Sequence, residues 1–345
     1  MDTRKKSTHY NVQPTLINEK ASTSTKRLME YLCSIYGEKV LSGQQIGVLA
    51  HPEIEVIRET TGEYPAVYGF DFMNYTPSRV ERGSTCEDTD IAMQWWNDGG
   101  IVTFCWHWNA PVGLIDIPPE RSWDRGFYTE ATTFNFAEAM ADRHSQLFQL
   151  LVRDIDVIAQ QLLRLQAEDI PVLWRPLHEA SGGWFWWGAH GAEPCVELWK
   201  YMYHRLTDYH GLNNLIWVWN GQHGDWYPGD NYVDIIGEDI YAPVHDYSSQ
   251  LDRFLQARSY SNSNKMITLS ENGVIPSVLE MVKDDALWLW NCTWYGGFVY
   301  EQQGDELRYS GTHTELQALL DFYNDARTIT RDQLPNLRGS SKNGL

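Results

Sequence analysis

The stretch Val172–Glu179, VLWRPLHE, opens as an apolar run and closes on two ionisable residues. A strand that is apolar on both faces is covered on both sides, as the strands of a parallel sheet are. The same pattern recurs along the chain in Val40–Ile46, Ala66–Phe72, Ile101–Trp108, Leu215–Asn220, Val233–Tyr241, Met266–Asn272 and Trp288–Tyr295. Amphipathic stretches separate these runs. In Ser145–Glu168 the residues Leu147, Leu150, Leu151, Ile155, Ile158, Leu162 and Leu165 recur at helical steps and make one apolar stripe. Further helices are predicted over Cys195–Tyr209 and Thr312–Asp325, the latter capped by Thr312 with Glu315 three residues on.

Strand followed by helix, repeated eight times, predicts an α/β fold, a single (β/α)8 TIM barrel. An open dinucleotide-binding sheet would need G-x-G-x-x-G after its first strand, and Ser42–Gly47 does not supply it. One catalytic domain over residues 1–345 is expected, with a loosely ordered N-terminus (about 1–20) and C-terminal tail (about 330–345).

Composition narrows the function. Against 46 Asp and Glu there are only 27 Lys and Arg, a net charge of −19, which leaves no basic footprint for a nucleic-acid backbone. No apolar run approaches the ~18 residues of a membrane span, so no membrane partner is expected. The five cysteines are scattered without a CxxC and predict reduced, mostly buried thiols. The opening residues Met1–Lys6 are polar and basic with no apolar core after them, so the sequence as it stands predicts a cytoplasmic, monomeric protein, or a secreted one if a signal peptide has been removed.

In a barrel of this kind the active site lies at the C-terminal ends of the strands. Those ends carry Asp71, His107, His178 with Glu179, Asn220, Asp239 with Tyr241, Glu271 with Asn272, and Trp294. Glu179 and Glu271 each follow an apolar strand directly and stand three strand–helix units apart, on opposite walls of one mouth. Two facing carboxylates are the equipment for cleaving a glycosidic bond: one protonates the leaving oxygen, and the other attacks the sugar or activates water. Beside Glu179, Trp184, Phe185, Trp186 and Trp187 are four aromatics in a row, whose flat faces suit sugar rings. The competing reading is an aromatic plug over the barrel. A metal site could draw on His107, His178, Asp71 and Asp239, but His178-Glu179 is not part of an HExxH motif, since position 182 is Gly. No cofactor and no metal are expected.

The segment Trp174–Gly188, WRPLHEASGGWFWWG, resembles the strand-4 signature of glycoside hydrolase family 26, retaining (β/α)8 enzymes known mainly as endo-β-1,4-mannanases. Leu269–Gly273, Ile235–Tyr241 and Trp106-His107-Trp108 are similar to that family's strand-7, strand-6 and strand-3 segments. The resemblance implies Glu179 as acid/base and Glu271 as nucleophile, with β-mannan or manno-oligosaccharide as substrate. It further implies that His178 fixes Glu179 and contacts the sugar, that Tyr241 hydrogen-bonds Glu271, that His107 and Trp294 line the glycone side, and that Trp184 lies towards the aglycone side. Some relatives carry Arg directly after the strand-8 Trp; here it is Tyr295. The alternatives are another β-glycan, such as mixed-linkage glucan or β-xylan, and a carbohydrate-binding barrel without catalysis.

If the main partner of the Trp294 ring is substrate, Trp294→Ala lowers turnover far more than it lowers the melting temperature. A large drop in melting temperature with unchanged activity per folded molecule would show the ring to be core.

Overall fold

In the computed structural model, which describes residues 7–47 and 51–339, eight parallel strands close into a barrel. They are β1 (Gly43–Gln45), β2 (Val67–Asp71), β3 (Ile101–Cys105), β4 (Val172–Arg175), β5 (Leu215–Trp219), β6 (Ile235–Ile240), β7 (Met266–Asn272) and β8 (Asn291–Thr293). Closure is made by β1, which pairs with β2 on one side and with β8 on the other. The stripe on the third crossover forms a helix over Gln146–Ala167, and Ser145 caps it by accepting the Phe148 N–H at 3.1 Å. Its Leu151, Ile155, Ile158, Leu162 and Leu165 are buried.

The ends of several predicted elements differ from the sequence reading. Val40–Ile46 divides: Val40–Leu41 pairs with Thr328–Ile329 outside the barrel, and only Gly43–Gln45 enters it. The eighth strand shrinks to three residues. The predicted Cys195–Tyr209 helix runs over Ala192–His204 and then widens into a π-turn at Arg205–Tyr209. Thr312 is not a helix cap; the last helix is Leu316–Asn324 with Glu315 at its N-cap. The reason is an antiparallel hairpin, Tyr300–Gln303 with Glu306–Tyr309, whose Tyr309 hydroxyl donates to the Thr314 carbonyl at 2.7 Å and holds 310–314 out of the helix.

Residues 7–20, part of the stretch expected to be loose, are fastened under the barrel. The buried Tyr10 accepts the Leu287 N–H at 2.8 Å and donates to the Asp285 carbonyl, and the Ile17 N–H donates to Asp234 at 2.8 Å. In the C-terminal stretch, Thr330 and Leu337 are buried; residues 1–6 and 340–345 lie outside the described residues. None of the five cysteines is in a disulfide, and Cys105, Cys195 and Cys292 are buried. Among the described residues no helix is long and apolar enough to cross a membrane.

One irregularity matters for the site. The β6–β7 ladder pairs Glu238 with Leu269 and then Asp239 with Glu271, passing over Ser270. Such a bulge sets two successive side chains on about the same side. Ser270 and Glu271 therefore both face the barrel interior, and Asp239 faces Glu271 across the ladder. Room for Ser270 comes from Gly237, where a Cβ would stand 2.1 Å from the Ser270 Oγ.

Gly237→Ala is expected to push Ser270 and the adjoining Glu271 out of place. It costs about 1–3 kcal/mol of stability and lowers turnover by up to ~100-fold. Adding Ser270→Gly removes the clash and restores both, in thermal melts and rate assays alike; a double variant no better than the single would refute this packing account.

Candidate active site

The segment after β4 is sharply bent. Leu177 and Glu179 both take positive φ, 50° and 53°. The turn is pinned from both sides: the Glu179 N–H donates to the Asn220 carbonyl at 2.7 Å, and the Trp187 indole N–H donates to the His178 carbonyl at 2.9 Å. This directs the Glu179 carboxylate into the mouth. Opposite it, Glu271 accepts from the Tyr241 hydroxyl at 2.9 Å and from the guanidinium of Arg175. Arg175 is buried inside the barrel, and its other Nη donates to Asp239 at 2.9 Å. Glu179, Asp239 and Glu271 each bring an oxygen within 4.8 Å of the other two.

Three carboxylates around one guanidinium cannot all be ionised at low cost. Burial, and then the charge of Glu271, push Glu179 up to about 7. Burial raises Glu271 to about 7 too, reinforced by Asp239 and opposed by Arg175. The hydrogen-bond donors decide where a shared proton sits. Glu271 has Arg175 and Tyr241; Asp239 has Arg175 and the Asn220 amide at 3.0 Å. Glu179 has the Trp184 indole N–H, at 2.8 Å, and shares a side-chain hydrogen bond with Asp239. Burial raises Asp239 as well, well above the ordinary range, so a proton is shared between Glu179 and Asp239, while Arg175 and Tyr241 favour the charged form of Glu271.

A second line of polar groups borders the pair. Trp106 and Trp108 stack on one another and are tied outward, Trp106 to Thr76 and Trp108 to Asp154, each at 2.9 Å. His107 between them points into the mouth. Its Nδ1 meets Asp71 at 2.5 Å, and its Nε2 meets the His178 Nε2 at 3.2 Å. Burial, with Arg175 and His107 adding to it, holds His178 well below the usual imidazole value, so it is neutral at pH 7. Burial works against Asp71, yet the His107 contacts hold its carboxyl below the ordinary range. Trp294 lies beside His107, ring centres 5.9 Å apart, and the two share a cavity with Asp71, Tyr128 and Tyr295.

The structure thus brings together all seven predicted residues: Glu179, Glu271, His107, His178, Trp184, Tyr241 and Trp294. The aromatic run needs correction. Trp184 is 46% exposed, but Phe185, Trp186 and Trp187 are at most 4% exposed. They pack under the cleft, Trp186 against Trp108 and Phe134, because the long 109–136 loop folds over them: the Thr129 N–H donates to the Trp184 carbonyl at 2.7 Å. Only Trp184 remains as a platform. Sequence reading missed Arg175, although a charge inside the apolar VLWRP run was its visible signal. It missed Glu53 as well, a buried carboxylate on the helix Pro52–Thr61 that accepts the Gly296 N–H at 3.1 Å behind Tyr295. As for metals, Asp71, Cys105 and His107 also lie within 4.8 Å of one another, but Asp71 is already engaged by the His107 ring. In the carboxylate trio Arg175 already supplies the positive charge.

The model of glycosyl hydrolase family 26 matches residues 17–333. The chain belongs to that family. A mannan endo-1,4-beta-mannosidase of Thermothelomyces thermophilus is 44% identical over 290 residues, 84% of this chain and 59% of that protein. The chain spans little more than half the length of the curated relatives first matched. Among family 26 structures, the Podospora anserina GH26-CBM35 beta-(1,4)-mannanase superposes with a TM-score of 0.89 at 42% identity, covering 97% of this chain and 72% of that one. A beta-mannanase from a symbiotic protist of the termite Reticulitermes speratus, complexed with gluco-manno-oligosaccharide, gives 0.82 at 30% identity over 94% of this chain and 98% of that one.

The indole N–H of Trp184 stabilises the charged form of Glu179. Trp184→Phe removes that donor, so the Glu179 pKa rises and the proton is kept to higher pH. If Glu179 is the proton donor, the alkaline limb of the pH–rate profile moves up by about half a unit to one unit, the discount reflecting the exposure of the indole. A limb that stays or moves down would contradict the assignment.

Proposed function

We propose that the protein is a retaining endo-β-1,4-mannanase acting by double displacement on mannan, galactomannan or glucomannan. The observation that carries the mechanism is the facing pair: Glu271, bonded by Arg175 and Tyr241, stands opposite Glu179, bonded by Trp184, and burial raises both to about 7. Their oxygens approach within 4.8 Å, nearer the ~5–5.5 Å carboxyl separation of retaining enzymes than the ~6.5–9.5 Å that leaves room for water. The activities for which the relatives are named support the choice of mannan, and the gluco-manno-oligosaccharide bound to one neighbour supports a manno-oligosaccharide ligand.

In this reading Glu271 attacks the anomeric carbon while Glu179 gives its proton to the departing sugar oxygen. The bond to Glu271 neutralises that carboxylate. The repulsion that raised Glu179 is then relieved, its pKa falls, and it accepts a proton from the incoming water. Tyr241 and Arg175, both donors to Glu271, stabilise it again as it leaves. The neutral His178, backed by His107 and Asp71, offers a hydrogen-bonding edge to sugar hydroxyls without adding charge.

Proton NMR of the first-formed product from a manno-oligosaccharide is expected to show the β-anomer; an α-anomer would sink the mechanism. Glu271→Ala abolishes hydrolysis. Glu179→Ala retains a slow reaction on an aryl β-mannoside with a good leaving group, and azide accelerates it. Activity on galactomannan should exceed that on lichenan and xylan and survive EDTA; a preference for lichenan or xylan would move the substrate assignment.

A further inference from the structure

Two histidines from neighbouring strands meet edge to edge. His107 follows β3 and His178 follows β4, and their Nε2 atoms stand 3.2 Å apart with the ring planes at 77°. Two ring nitrogens at that distance share one proton. With a proton on each the contact would be repulsive, and with none two lone pairs would face each other. The ring that owns the shared proton decides what the pair offers at its far end.

Asp71, at the end of β2, settles the ownership. Its Oδ1 accepts two backbone N–H groups, from Met73 at 2.8 Å and from His107 at 3.0 Å. These bonds fix the carboxylate, and its Oδ2 stands 2.5 Å from the His107 Nδ1. A carboxylate oxygen only accepts, so that contact needs the His107 proton on Nδ1. In a neutral His107 the Nε2 is then bare. His178 must donate to it through Nε2–H, which leaves the His178 Nδ1 bare in turn. The far end fits this order. His178 is buried, and its Nδ1 has no partner among the described residues. An unpaired lone pair there costs less than an unpaired N–H. Burial, and then Arg175 and His107, keep a second proton off the His178 ring.

We propose that Asp71 is a positioning residue that sets the proton order of both rings, so that His178 presents its Nδ1 to the sugar as a hydrogen-bond acceptor. The proposal rests on the glycosidase reading above. Both ring protons point back towards Asp71 and both lone pairs point away from it, so a sugar hydroxyl meeting His178 enters as the donor. Asparagine at 71 would reverse the order without emptying the position. Its single oxygen is claimed by the Met73 and His107 N–H groups, so its NH2 faces the His107 Nδ1 and donates. His107 then carries its proton on Nε2 and donates to His178, whose own proton moves to Nδ1. The acceptor offered to the sugar becomes a donor, and a hydroxyl oriented for the native ring meets proton against proton.

Nitrogen-15 NMR of histidine-labelled protein near pH 8 reads the order, because a protonated ring nitrogen and a bare one resonate far apart. The two rings are assigned by the signals lost in His107→Gln and His178→Gln. The wild type is expected to show a protonated Nδ1 on His107 and a bare Nδ1 on His178. In Asp71→Asn all four nitrogens exchange roles. The kcat/KM for mannopentaose then falls about tenfold, while the melting temperature changes little, because the two backbone donors keep their acceptor. A wild-type His178 with its proton on Nδ1 overturns the proposal, and that spectrum decides by itself should the variant fold poorly. A variant that keeps the native order, or one that reverses it with kcat/KM unchanged, overturns it as well. A wild-type protein that cleaves no mannan overturns the glycosidase reading instead.

Discussion

The buried guanidinium of Arg175 is the pivot of the molecule's chemistry. It stands inside the barrel, where a lone cation would be prohibitively expensive, and is made tolerable by Asp239 and Glu271. The dependence is mutual. Without Arg175 two buried carboxylates would lose their common partner, and both would take up protons at neutral pH. At the proposed nucleophile Arg175 favours the charged form, against burial and the charge of Asp239. Glu179 joins that cluster through Asp239, with which it shares a hydrogen bond, and through attraction to Arg175. The difference between the two glutamates is thus a matter of which one Arg175 touches.

Around this pivot the barrel is built so that its walls and floor point in different directions. On β3 the flanking tryptophans are bonded outward and the histidine between them is turned in. After β4 the polypeptide is forced into a bend by Asn220 and Trp187. Between β6 and β7 a skipped residue rotates Glu271 to the interior. Each device is a local departure from regular strand geometry, and each lies at the C-terminal end of its strand. The other end, closed by Val40–Leu41, Thr328–Ile329 and the fastened residues 7–20, is where the fold is secured.

Much of this was legible in the chain. The eight strands announce themselves as apolar runs, and Glu179 and Glu271 stand out because a carboxylate directly after such a run has no structural reason to be there. What stayed hidden depended on partners far away in sequence. Nothing local to Trp174-Arg175-Pro176 tells which carboxylates the arginine meets across 64 and 96 residues. The burial of Phe185, Trp186 and Trp187 depends on the 109–136 loop settling over them. The 300–309 hairpin is mostly polar and turns only Tyr300, Leu307 and Tyr309 towards the core, too short a pattern to read as strands, and its presence displaced the start of the last helix from Thr312 to Glu315.

The two positive φ angles at Leu177 and Glu179 have a thermodynamic consequence. A residue with a Cβ in that region costs about 1–2 kcal/mol relative to ordinary helical backbone, and here two such residues stand within three positions. The surrounding hydrogen bonds hold them there against a standing tendency to relax. Selection for thermal robustness alone would therefore favour glycine at 179 and discard the carboxylate. The protein carries its reactive group at the expense of its own stability, so the most heat-resistant sequence for this backbone would be an inert one.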